Sequence, residues 1–236
     1  MSNARFGKAA YPGLREYVVY DPDHEKIDGR VGDAFRSFVQ NELSGSAAEL
    51  MKPTEEDVSA VRAGYTLLLD VLPELGGDCV RHIATVALAD SGAAFLSTTL
   101  ADLSGVVIID RRVLADPALI AESILHESLH SKLDALSKAH TLTFSAPGDN
   151  TTTPILAVWH PSGARSSWWS PWRALAACHF YAHLTVLGDG LRRTHGHADY
   201  GRRLKDRALF RAHYLGRELL RVRPAVLTET GAEMVD

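Results

Sequence analysis

The segment Ile124-Leu125-His126-Glu127-Ser128-Leu129-His130 carries the residue types and spacing best suited to chemistry in this chain. On a helix, side chains four apart share a face, so His126 and His130 can turn both imidazoles toward one divalent cation. Glu127 sits beside the first histidine, where it can act as a catalytic base or orient a metal ligand from behind. Leu119, Ile120, Leu125, Leu129, Leu133 and Leu136 flank the motif and make the helix amphipathic and largely buried. Two imidazoles and a carboxylate facing inward there are costly unless they are paired or ligated. The competing reading is a chance HExxH with solvent-facing side chains, in a chain that holds 11 histidines.

A metal held this way needs a third protein ligand. The extended motif that places a glycine at 133 and a third histidine at 136 does not apply, because both positions are leucine. A glutamate from a downstream helix is also disfavoured, since none occurs between Glu127 and Glu218. His or Asp remains. His179 and His183 lie four apart, in line with Trp172, Leu175 and Val186 on the apolar stripe of a later helix. His179 is the preferred third ligand and His183 the competitor. Asp134 continues the 126, 130 spacing, although an ordinary exposed aspartate explains it as well.

The elements that must position these residues are legible from periodicity. The first thirty residues, rich in Pro, Gly and Asp, read as irregular. Phe35, Phe38, Val39 and Leu43 have helical spacing within 31–51. Thr54 caps a helix that opens on Glu55, Glu56 and Asp57, and Gly76-Gly77 is expected to end it. Segments 79–89 and 93–100 read as short strands around the turn Asp90-Ser91-Gly92, and Val106–Ile109 as a buried strand. Asp116-Pro117 starts the motif helix, expected over about 117–138. The stretch 143–170 reads as a long functional loop or lid, with a strand candidate at Ile155–Trp159. Helices follow at about 172–188, ended by Gly188 and Gly190, and at about 198–222, with a polar tail over 224–236. The expected architecture is α+β and mainly helical, one domain over 1–236 with its central HExxH helix packed against a small sheet.

From Ala121 to about Gly190 the chain resembles a known family. The matching features are the run from Leu119 to Leu136 around the motif, the element Ser170-Pro171-Trp172-Arg173, and the later Tyr181-Ala182-His183-Leu184. Together they resemble the HExxH-motif domain of peptide-modifying proteins from ribosomal natural-product clusters, a family that places a strand where Val106–Ile109 lies. The resemblance implies a non-haem iron(II) and 2-oxoglutarate-dependent peptide β-hydroxylase. Three protein ligands on one face would leave room for cosubstrate and O₂. Arg173 is the candidate for the carboxylate of 2-oxoglutarate, because a guanidinium binds carboxylate bidentately. Glu127 would then orient a ligand or a substrate amide. Trp169, Trp172 and His183 are the candidates for contacting a peptide or amino-acid-derived substrate, with Trp159 and Trp168 in the same aromatic span. The alternative is a zinc-dependent hydrolase with Glu127 as general base; a metal-free binding protein is the third reading.

Composition bounds the rest. A net charge of −4 over 236 residues argues against nucleic acid as a partner. No apolar run suits a bilayer span, and no signal segment opens the chain, so a cytoplasmic protein is expected. Two cysteines, Cys79 and Cys178, fit reduced thiols better than a disulfide framework. The arginines and lysine of the last helix, Arg202 to Arg223, read as a solvated basic face or as a surface for an acidic leader peptide or carrier. His195-Gly196-His197 reads as a loop.

Overall fold

The β-branched run Val106-Val107-Ile108-Ile109 is buried and forms an interior strand of a sheet, one in from its edge. The computed structural model describes residues 5–6, 17–21, 30–43, 47–92, 94–100, 103–144, 153–159 and 167–235. These fall into two compact units, Met1–Lys132 and Leu133–Asp236. The class is mainly helical α+β, as the periodicity predicts.

In the first unit the elements run β1 (Arg5–Phe6), β2 (Tyr17–Val19), α1 (Arg30–Glu42), β3 (Glu49–Met51), α2 (Glu55–Val71), α3 (Pro73–Val80), β4 (Thr85–Asp90), β5 (Ser97–Leu100) and β6 (Leu103–Asp110). A 3₁₀ turn at Arg111–Ala115 leads into α4 (Pro117–Ala139), whose residues to Lys132 belong to this unit. The sheet order is β1-β2-β4-β6-β5, with β3 also paired to β4. β4 and β6 are parallel neighbours, and β5 closes the edge antiparallel to β6. One face, with Ala87, Ala89, Val106 and Ile108, packs with Val31 and Phe35 of α1. The alternate residues Val86, Leu88, Val107 and Ile109 are equally buried, as expected for a strand pair covered on both faces.

Local chemistry explains most boundaries. Thr54 caps α2 in a reciprocal box with Asp57. Asp116 Oδ1 accepts from the Ala118 backbone N–H at 2.9 Å, and Pro117 is the first helical residue of α4. Other boundaries differ from expectation. Gly76-Gly77 does not end a helix. Pro73 starts α3, which runs through both glycines, and Gly76 lies against Leu68 and Leu69 where a larger side chain would crowd. Segment 79–89 is therefore a strand only from Thr85. The turn at Asp90–Gly92 does not make a hairpin, because β6 lies between β4 and β5. The first thirty residues contribute two short strands, which a tally of Pro and Gly cannot reveal.

The second unit holds the last turns of α4, then β7 (Ile155–Leu156), β8 (Trp168–Trp169), α5 (Pro171–Arg192), α6 (Ala198–Val226) and α7 (Glu229–Glu233). Most of the expected 143–170 loop, with Asn150-Thr151-Thr152, lies outside the described residues; Ile155–Leu156 pairs antiparallel with Trp168–Trp169. Gly188 and Gly190 do not stop α5. Both lie inside it, and at Gly188 the reason is the close passage of α6: a Cβ on Gly188 would lie 2.6 Å from the Lys205 N, and one on Gly201 2.3 Å from the Arg192 N. His195-Gly196-His197 is the connecting turn, with Gly196 at φ +82°. The expected tail at 224–236 is not loose. α6 continues to Val226, Leu227 bridges Thr143, and α7 is capped by Thr228, with Leu227 and Ala232 buried.

The close helix crossing is testable. Gly201→Ala should lower the thermal midpoint by about 5 °C, because relieving a backbone clash costs ~1–3 kcal/mol. Gly216→Ala on the same helix should be neutral or stabilising, since its Cβ would meet only Cys178 Sγ and Val235 Cγ1 at 3.7 Å. Equal midpoints for the two variants would contradict this packing.

Candidate metal centre

α4 carries the motif into the interior of the first unit. Ile120, Ile124, Leu125 and Leu129 are all but sealed from solvent, and Ser128 and Ser131 are buried with them. Ser128 disposes of its hydroxyl by donating to the Leu125 carbonyl at 2.8 Å. His126 and His130 share one face one helical turn apart, as the spacing predicts, and their Nε2 atoms are 3.1 Å apart. Two nitrogens at about 2.1 Å from one cation stand about 3.0 Å apart in an octahedral site and about 3.4 Å in a tetrahedral one. The pair therefore fits two adjacent positions on a divalent metal.

Burial sets the charge state of the pair. It pushes His126 down to about 4. It pushes His130 down to about 3, with the neighbouring His126 adding to the effect. Both imidazoles are thus neutral near pH 7, the state in which a ring nitrogen offers a lone pair to a metal.

Glu127 faces a different partner. It is only 3 % exposed, and it accepts from the Ser97 hydroxyl at 2.7 Å. The Thr99 backbone N–H donates to it as well. Both donors lie on β5, the sheet's edge strand, so the carboxylate ties α4 to that edge. Burial raises its pKa to about 7 in spite of these two hydrogen bonds. The loop that leads into β5 is itself anchored. Buried Asp110 accepts from the Ser91 and Arg112 backbone N–H groups and from the Arg112 Nε at 2.7 Å. The Ser91 hydroxyl also donates to Asp110, and Arg112 Nη2 donates to the Phe95 carbonyl at 3.1 Å.

The remaining candidates belong to the second unit. His179 and His183 lie one turn apart on α5, with ring centroids at 4.3 Å. His183 Nδ1 is 2.8 Å from the His179 carbonyl, which can only accept, so Nδ1 is the donor there. His179 Nε2 is sealed from solvent. Val186, assigned to the same inward stripe, is 49 % exposed, so the apolar stripe turns away from it at that level. Arg173 is exposed and stacks over Trp169 at 4.7 Å, while Trp172 is half-buried. Asp134 is half exposed and paired with Lys138 at 2.6 Å, the role of an ordinary surface aspartate. Among the described residues, no group of three or more His, Cys, Asp or Glu side chains is placed to hold a metal ion. The first unit thus brings two candidate ligands, His126 and His130, together on one face.

Several contributors escaped sequence reasoning. Ser97, Thr99 and Asp110 carry no motif and acquire meaning only through the sheet. In the second unit Trp159 makes edge contacts with Trp169, Tyr181 and Tyr214, and Arg211 lies over Trp159 and Tyr181. Much of the basic face of α6 is paired: Arg202 with Asp199, Lys205 with Asp189, and both Arg217 and Arg221 with Glu218. Cys79 and Cys178 are free buried thiols, each pushed up to about 11 by burial. No helix among the described residues is long and apolar enough to cross a membrane.

The opposite shifts of Glu127 and the histidines give opposite pH dependences to the metal-free protein. Glu127 titrates near 7 when folded and near 4.5 when unfolded, so its contribution is fully present below 4.5 and is lost as pH rises through 7. The histidines have lowered folded values, so their contribution is present above 6.5 and is lost as pH falls toward 4 and below. Glu127→Gln mimics the protonated acid and should remove only the first effect. Its unfolding free energy relative to the parent should rise by ~2 kcal/mol between pH 5 and pH 8. A difference independent of pH in urea titrations would mean that the carboxyl is not raised.

No protein-family model matches the chain, and no curated protein is similar to it.

Proposed function

We propose that the protein is a non-haem iron(II) and 2-oxoglutarate-dependent oxygenase that hydroxylates a side-chain carbon, the β carbon, of an amino-acid residue in a peptide or related substrate. The observation that carries this reading is the division of labour along α4. His126 and His130 offer two neutral nitrogens 3.1 Å apart, while Glu127 is engaged by Ser97 and Thr99. These two donors hold the carboxylate against β5, which suits an orienting role beside the first histidine. The sequence resemblance to HExxH-type peptide hydroxylases of natural-product biosynthesis points the same way.

In this reading His126, His130 and a third residue hold iron. His179 is the candidate from the sequence, with His183 the competitor. Bound iron with 2-oxoglutarate supplies the O₂ chemistry that replaces a C–H bond with C–OH while the cosubstrate loses CO₂ and becomes succinate. The chain's own residues bind and orient. Arg173, its guanidinium plane held against Trp169, presents N–H groups suited to a carboxylate of 2-oxoglutarate. Glu127 fixes the pitch of α4 against β5 and so aims the neighbouring His126. Trp172, half-buried, offers aromatic surface to the peptide, which a leader segment or carrier would deliver, whereas Trp169, a candidate from the sequence, is buried and backs Arg173 instead.

A second reading, a zinc hydrolase, is favoured by one specific feature. A carboxyl raised to about 7 is tuned for general-base work near neutral pH. The same experiment separates the two. Protein loaded anaerobically with iron(II) should release succinate from 2-oxoglutarate on admission of O₂, and zinc-loaded protein should not. His126→Ala and His130→Ala should abolish the release, and Glu127→Gln should retain part of it. Retained turnover in either histidine variant would remove the central claim. Tightly held native zinc, with peptide hydrolysis lost in Glu127→Gln and no succinate, would establish the hydrolase instead.

A further inference from the structure

A cavity of about 270 Å³ opens within the first unit where α4 faces the entry to β5. Leu119, Ser123, His126 and Glu127 line it from one face of the helix, and Leu96 and Ser97 from the strand side. That volume lies just below the range of ~300–1,000 Å³ typical of drug-sized ligands and suits a single amino-acid side chain. Because His126 is part of the lining, a side chain seated here lies beside the histidine pair.

Most polar groups of the lining are already engaged. Glu127 accepts from the Ser97 hydroxyl and the Thr99 backbone N–H, and Glu122 has an interaction of its own. Ser123 differs. It is only 4 % exposed, and its hydroxyl makes no hydrogen bond among the described residues. A buried helix serine can donate back to the preceding turn, as Ser128 does to the Leu125 carbonyl at 2.8 Å. A buried hydroxyl left without a partner is unfavourable, and Ser123 meets the cavity instead of its own helix. The cavity thus offers an occupant one hydroxyl, able both to donate and to accept, between the side chains of Leu96 and Leu119.

We propose that this cavity is the substrate side-chain subsite and that Ser123 selects a neutral side chain ending in an alcohol or a carboxamide. The assignment rests on His126 as a metal ligand, since that is what places a residue seated here beside the reacting centre. Ser123 acts on specificity. An aliphatic side chain of the same shape leaves its hydroxyl unpaired in a buried site. A charged side chain would be desolvated against a single hydroxyl, because both glutamates are already engaged.

The test is binding rather than turnover. N-acetyl methylamides of asparagine and threonine, of their near-isosteres leucine and valine, and of aspartate and lysine are titrated into full-length protein, metal-free and zinc-loaded, and followed by NMR shift changes. The carboxamide, the alcohol or both should bind about tenfold more tightly than the apolar isostere, with the charged compounds weakest. Ser123→Ala should bring the polar compounds down to the affinity of their apolar partners and leave leucine and valine binding unchanged. The same variant loses no hydrogen bond, so its thermal midpoint should stay level or rise; a fall would place the hydroxyl's partner within the fold and overturn the assignment. Equal affinity within both pairs, a preference that survives Ser123→Ala, tightest binding of a charged compound, or no saturable binding at all would overturn it as well. Oxygen-dependent succinate release from the same preparations keeps the two ideas apart. Succinate without the neutral-polar preference removes only the subsite; that preference without succinate removes only the oxygenase reading.

Discussion

Glu127 accepts hydrogen bonds from the Ser97 hydroxyl and the Thr99 backbone N–H, and so joins the motif helix to the outer edge of the sheet. In antiparallel pairing an edge strand leaves every second backbone N–H without a strand partner. One such group, at Thr99, meets a buried carboxyl. The helix pitch, the exposure of β5 and the environment of the histidine pair all depend on this contact. It also explains why the sheet edge can stand beside an ionisable helix face without another strand to cover it.

The contact works because both partners are held from behind. β5 is fixed through the Asp110, Ser91 and Arg112 network, which ties the end of β6 to the loop entering β5. α4 is fixed by burial of Ile120, Ile124, Leu125 and Leu129, and by Gly64 of α2, where an added Cβ would meet the Ile120 side chain at 2.4 Å. The same burial that stabilises α4 makes its histidines poor proton acceptors and its glutamate a poor acid. A site of low polarity is thus a by-product of placing a polar motif on a core helix, and that low polarity favours neutral ligands ready for a metal.

The second unit uses different physics. Its long helices approach so closely that glycine is required at 188 and 201, which frees the other faces of α5 for the histidine pair and for Trp172. The aromatic group around Trp159 and the buried Trp169 ring beneath it stiffen the exposed guanidinium of Arg173. A guanidinium held this way loses little entropy when it binds.

The sequence by itself determined the motif helix, its capped start, the buried strand at 106–109 and the convergence of His126 and His130, because each is set by local periodicity and caps. The α+β class followed from the same patterns. Only the tertiary structure decided the partner of Glu127, since Ser97 and Thr99 lie about thirty residues away and a sheet had to place β5 on the edge, beyond β6 rather than beside β4. It also decided that Gly76 and Gly188 are interior helix residues, each with a neighbour where a Cβ would crowd. A glycine ends a helix or lets another element approach it, and the choice depends on what lies opposite. Pairing and close approach are long-range properties, and no local pattern records them.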